Sequence, residues 1–168
     1  MTTSPDRIWT RTLAIATVAA ASLALSGCSL LGNIVGGGAT PPPSTDPSSV
    51  DVFTLNVGDC LLDDKTSGDQ ITDVPRIDCS QPHNSEAYAS VTMDDGPFPG
   101  STAVDDKAVA DCKAKFNTFV GLDYDQSQLN FTYYYPTEAS WAQGDREILC
   151  LAVDPAGQVT GSLKNARR

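Results

Sequence analysis

His83 is the sole histidine of the chain, and Glu86 follows it in Cys79-Ser80-Gln81-Pro82-His83-Asn84-Ser85-Glu86. An imidazole beside a carboxylate is a pair that a hydrolase could use to move a proton. The pair lacks the usual company for such chemistry. No Gly-x-Ser-x-Gly elbow offers a nucleophile, no His-Glu-x-x-His motif offers a metal, and no glycine loop could cradle a phosphate. The expectation is therefore structural. His83 should hydrogen-bond the turn that leads from Cys79 into the next strand, and the chain should not be an enzyme. The alternative is a hydrolase that works through His83 and Glu86.

A second constellation runs from Tyr133 to Arg146 and holds Tyr133, Tyr134, Tyr135, Trp141 and Arg146. Aromatic rings beside an arginine can form a recognition surface for a protein or a sugar. The simpler use of Trp141 is as a core plug beneath the connection between two strands, with Thr137 or Ser140 capping the turn. Side chains alternate along a strand, so Tyr134 should point away from Tyr133 and Tyr135. No metal or cofactor is expected. Asp123-Tyr124-Asp125 begins like a calcium loop, but Gln128 stands where the loop needs glycine and Tyr134 where it needs glutamate.

Five cysteines are present, and Cys28 differs from the rest in its setting. It follows Leu25-Ser26-Gly27 at the end of an apolar run, and Arg7 and Arg11 precede that run. The run from Leu13 to Leu25 spans 13 residues, too few for a membrane-spanning helix of about 20. A basic start, a short apolar run and small residues before a cut form an export signal. Leu25-Ser26-Gly27-Cys28 resembles the bacterial lipobox. That resemblance implies removal of residues 1–27 and diacylglycerol on the Cys28 thiol. The product would be a lipoprotein with palmitate-class acyl chains on the extracytoplasmic face of the cell membrane. Two chains suffice for stable anchoring.

The remaining Cys60, Cys79, Cys112 and Cys150 are an even set in an exported chain, which predicts two disulfides. Four cysteines permit three pairings. Cys60 and Cys79 fall at neighbouring strand ends, while Cys112 lies on a helix stripe and Cys150 within a strand. The expected bridges are Cys60–Cys79 and Cys112–Cys150.

The chain has 168 residues and a net charge of −10. Loss of residues 1–27, which carry Arg7, Arg11 and Asp6, leaves the rest at −11. Such a chain repels nucleic acid and anionic lipid heads. Neither is expected as a partner; the membrane enters only through the lipid. Residues 28–50 are rich in Gly, Pro and Ser and read as a tether. Residues 51–168 are long enough for one small domain.

The elements follow from periodicity. Phe53, Leu55 and Val57 alternate as a strand that Gly58 interrupts. Val74–Cys79 is a short second strand, which Pro75 places near an edge. Glu86–Met93 is a third strand, with Ala87, Ala89 and Val91 on one face. Val104, Ala108, Cys112 and Phe116 mark an amphipathic helix with Asp105 and Asp106 in its first turn. Ser101 or Thr102 should cap it, and Gly121 should end it. Leu129–Tyr135 and Arg146–Val153 are strong strands around one helical turn. Gln158–Leu163 should pair back on the last strand as a hairpin, and Asn165–Arg168 should fray. The fold class is α+β, a mainly antiparallel sheet with one packed amphipathic helix and two disulfides.

Val57-Gly58-Asp59-Cys60-Leu61, the Cys79-to-His83 motif, Pro136-Thr137, Ser140-Trp141, Gly144, Arg146 and Cys150 together resemble the septum-formation-related domain of actinobacterial envelope proteins. The likeness runs over most of Phe53–Val153. It implies the fold and the envelope compartment, with a link to septum formation. Together with the tether, the disulfide frame and the lack of catalytic sets, it makes the leading expectation a lipid-anchored, non-enzymatic domain that binds an envelope protein or cell-wall component. It brings no catalytic residue with it.

Overall fold

The computed structural model describes residues 47–63 and 71–168. The expected signal peptide, Cys28, the tether up to residue 46 and most of the Asp63–Asp73 loop lie outside the described residues.

Six strands form one antiparallel sheet in the order β1-β3-β2-β4-β6-β5. The strands are β1 (Ser48–Asp51), β2 (Cys60–Leu61), β3 (Asp73–Ile77), β4 (Ser85–Thr92), β5 (Asn130–Tyr134) and β6 (Glu147–Val153). The main helix, α1, spans Ser101–Val120, and a short helix, α2, spans Glu138–Trp141. The expected fold class holds. Among the described residues no helix is long and apolar enough to cross a membrane.

The sheet buries both faces. The α1 stripe of Val104, Ala108, Cys112, Phe116, Phe119 and Val120 packs against Tyr88, Ala89, Ile148, Cys150 and Ala152. On the other face Leu55, Leu61, Val74, Ala87, Leu149 and Leu151 form a smaller cluster, flanked by Val52 and Tyr134. Ile148 to Ala152 alternate between the two cores, as the two-residue period of a strand requires. In β4 the register slips between Ala87 and Ala89. A bulge of this kind changes which face the following residues meet. Ala87 consequently lies in the small core, while Ala89 and Val91 meet the α1 side, which corrects the expected common face.

Both expected disulfides are present. Cys60–Cys79 ties neighbouring strands with Cα atoms 5.2 Å apart, and Cys112–Cys150 ties α1 to β6 at 5.5 Å. Pro75 sits in β3, one strand in from the β1 edge.

Several local expectations are corrected. Phe53, Leu55 and Val57 do not form a strand: Val52–Thr54 is a single 3-10 turn. Asp51 accepts a hydrogen bond from the Phe53 amide at 2.9 Å, and such a local side-chain bond competes with a strand ladder. Pairing occurs earlier instead, at Ser48–Asp51, which includes residues read as tether. Gly100, not Ser101 or Thr102, stands at the helix cap, and no side-chain cap bond forms. Asp105 and Asp106 therefore fall in the second turn. Gly121 ends α1 in the left-handed region with φ of 77°.

The C-terminal segment makes no hairpin with β6. Val159 exchanges two backbone hydrogen bonds with His83 instead, each of 2.9 Å. The last residues do not fray. The Asn165 amide donates to Phe119 O at 2.8 Å, and the Arg167 amide donates to Val120 O at 3.0 Å. Arg168 ion-pairs with Asp154 at 2.7 Å. Open carbonyls in the last turn of a helix need donors, and the tail supplies them.

Candidate functional site

His83 and Glu86 are placed by the turn after β3 and by the start of β4. The His83 ring is fully buried (0% exposed). Its Nδ1 lies 2.8 Å from Gln81 O, and because a carbonyl only accepts, Nδ1 carries the proton. Glu86, 3% exposed, is bound elsewhere. Its Oε1 accepts from the Ser162 hydroxyl at 2.7 Å and its Oε2 from the Leu163 amide at 2.6 Å. No hydrogen bond or ion pair joins His83 to Glu86 among the described residues. Both residues hold the C-terminal segment. His83 fastens Val159 through its backbone, and Glu86 fastens Ser162 and Leu163 through its carboxylate.

Cys60, Cys79 and Glu86 bring three potential ligand atoms within 4.8 Å of one another. The two sulfurs are bonded to each other, so neither is a thiolate that could hold a metal.

Trp141 lies at the end of α2, and Arg146 immediately precedes β6. Thr137 and Ser140 form a capping box, in which the Ser140 amide donates to Thr137 Oγ1 at 3.1 Å and the Thr137 amide donates to Ser140 Oγ at 3.0 Å. The box starts the turn that drives Trp141 into the core. Its Nε1 donates to Gly96 O at 2.9 Å, and Phe98 meets the ring edge-on at 5.7 Å. The Arg146 guanidinium lies 3.8 Å from the Trp141 ring centroid and donates to the carbonyls of Trp141 and Asp145 at 2.8 and 2.7 Å. Its Nε ion-pairs with Asp95 at 3.4 Å. Trp141 is a core plug, as the simpler reading expects, and Arg146 is its clamp.

Tyr134 stands apart from these two. It points to the face opposite α1, where it packs against the small core. Tyr133 points to the α1 side and donates to Asp105 at 2.7 Å. Burial and this bond to a carboxylate push the Tyr133 phenol up to about 12. Burial also raises Tyr88, whose hydroxyl donates to Cys112 O at 2.7 Å.

A groove of about 640 Å³ opens on the Tyr134 face. Val52, Phe53 and Thr72 form one wall. Tyr134, Tyr135, Thr137 and Ser140, with Asp145 and Glu147, form its floor and opposite wall. Phe53 is 58% exposed and Tyr135 is 43% exposed. Asp145 is held by the Ser140 hydroxyl at 2.8 Å and the Glu147 amide at 3.0 Å. Glu147 accepts from the Ser90 hydroxyl at 2.6 Å. The Ser140 hydroxyl that meets Asp145 also accepts from the Thr137 amide in the capping box. Of the expected recognition residues, the groove gathers Tyr134 and leaves out the buried Trp141 and the half-buried Arg146.

A family model described as "Septum formation" matches residues 57–168. The chain belongs to the septum-formation family. The family match takes in β2 through the C-terminus, including both disulfides, His83, Glu86 and the floor of the groove. The Val52–Phe53 wall lies just before it. No curated protein and no solved structure matches the chain. Membership of the septum-formation family carries a role related to septum formation.

Phe53, Asp145 and Glu147 escape the sequence reading of the groove. Phe53 looks like one member of a buried alternation, and only the Asp51 turn reveals it as exposed. Glu147 is a solvent-side residue of β6 whose place at a groove depends on the path of residues 52 and 53, far away in the chain.

Proposed function

We propose that this septum-formation-family chain is a lipid-anchored, non-enzymatic domain on the extracytoplasmic face of the cell membrane, where it binds an envelope protein or cell-wall component at the division site. The observation that carries the reading is the use of His83 and Glu86. Glu86 engages both carboxylate oxygens with Ser162 and Leu163, while the fully buried His83 ring turns its Nδ1 to Gln81 O, so the pair that a hydrolase would need is not joined. Support for the anchor comes from Leu25-Ser26-Gly27-Cys28 after its apolar run.

The test combines labelling with localisation. Cys28→Ala should abolish incorporation of a fatty-acid analogue and leave the chain unprocessed or released. A fluorescent fusion of the wild-type chain should collect at division sites. His83→Gln should complement a deletion strain at permissive temperature while lowering the melting temperature modestly. Continued labelling of Cys28→Ala would refute the anchor. A His83→Gln chain with wild-type stability that fails to complement would restore the hydrolase.

A further inference from the structure

The charge and the rings of the groove define what it can accept. No Lys, Arg or His lines it among the described residues, while Asp145 and Glu147 do. Glu147 is exposed and Asp145 half-buried, and both are fixed in place by hydrogen bonds from Ser90, Ser140 and the Glu147 amide.

Phe53 and Tyr135 hold substantial ring surface in solvent at the same groove. Aromatic faces attract guanidinium and ammonium groups, and neighbouring carboxylates strengthen that attraction. A nucleic acid, a phospholipid head or another polyanion would meet only like charge here. A neutral glycan could stack on the rings but would leave Asp145 and Glu147 without a counter-charge. We propose that this groove docks an extended basic segment of a partner protein, with Arg or Lys heads against Phe53 and Tyr135 and paired with Asp145 and Glu147. The proposal rests on the partner-binding reading above and names the site and chemistry of that partner. The net charge of −11 after loss of residues 1–27 would steer a basic segment toward the domain.

The test is an NMR titration of the isotope-labelled full chain in detergent micelles with a peptide of alternating Arg and Ser. The same peptide with citrulline in place of Arg, and chitotetraose, serve as neutral comparators. Amide shifts should gather at Phe53, Tyr135 and Glu147 for the Arg peptide alone. Phe53→Ala and Glu147→Gln should each weaken binding by about fivefold to tenfold, the range set by one cation–π or charge contact. Asp106→Asn, on the exposed side of α1, removes the same unit of charge and should leave the affinity unchanged. Equal binding of the citrulline peptide, an equal loss for Asp106→Asn, shifts elsewhere, or occupation by chitotetraose instead would each overturn the proposal. Lipid labelling and septal localisation can succeed while this titration fails, so the two readings fall separately.

Discussion

At the scale of single residues, the chain uses its most reactive-looking groups to close its own backbone. Glu86 is the clearest case: a buried carboxylate whose two oxygens meet one hydroxyl and one amide. Glu86→Ala would strand the Leu163 amide in the interior. The expected loss is about 2–3 kcal/mol, as for removal of a charged hydrogen-bond partner from a buried donor. Urea unfolding measures it, and a change within error would refute the anchoring role. The tyrosines give a pH dependence. Tyr133 is pushed up to about 12, above the ordinary tyrosine value of 10.0, by burial and its bond to Asp105. A raised folded-state value favours the protonated phenol, so the stabilisation is complete below pH 10 and is lost as pH rises toward 12. In an alkaline titration followed by the ultraviolet absorbance of tyrosinate, Tyr133 should ionise late, along with loss of circular dichroism. Ionisation of Tyr133 near the ordinary tyrosine value with the fold intact would sink this account; Tyr133→Phe identifies its share of the signal.

At the scale of elements, legibility tracks how local the cause is. The α1 stripe and its Gly121 stop were readable, because a helix advertises its buried face every three to four residues. The disulfides were readable for a related reason. Once Cys112 is on the stripe of a helix that covers the sheet and Cys150 is in a strand of that sheet, their meeting follows. The tyrosine alternation in β5 placed Tyr134 correctly on its own. Phe53 was not readable, since the same alternation describes a strand and a chain turned by an Asx bond. The β4 bulge was equally hidden, because nothing at Ala87–Ala89 signals a register slip. The pairing of α1 with β6 carries its own prediction. Non-reduced peptide mapping should recover Cys60–Cys79 and Cys112–Cys150 and no free thiol among the four. Replacing Cys112 and Cys150 together should cost about 2–5 kcal/mol. A different pairing would displace α1 from the sheet and refute the packing.

At the scale of the whole molecule, the decisive contact is between the chain's middle and its end. Glu86 and Leu163 are 77 residues apart, and His83 and Val159 pair across a similar distance. Sequence patterns cannot show such a contact, and that is why the tail reads as a hairpin and a frayed end. Its polar residues give no periodic signal, and its partners, a buried carboxylate among them, lie far upstream. Deleting residues 159–168 should therefore do more harm than the loss of a surface tail. It would uncover Leu163's site in the main core, open the last turn of α1, and leave Glu86 at the protein interior without donors. Stranding a buried charge costs about 3–5 kcal/mol. That is a large part of the roughly 5–15 kcal/mol by which small domains are stable. A double-mutant cycle separates the charge from the lost packing. If the harm comes chiefly from the stranded carboxylate, Glu86→Leu should be destabilising in the full chain and should partly rescue the truncated one. The coupling should be about 1–3 kcal/mol, as for residues in direct contact. Additive effects of the two changes would mean that the tail and Glu86 stabilise the domain independently, and would overturn the view that this carboxylate locks the end of the chain to its centre.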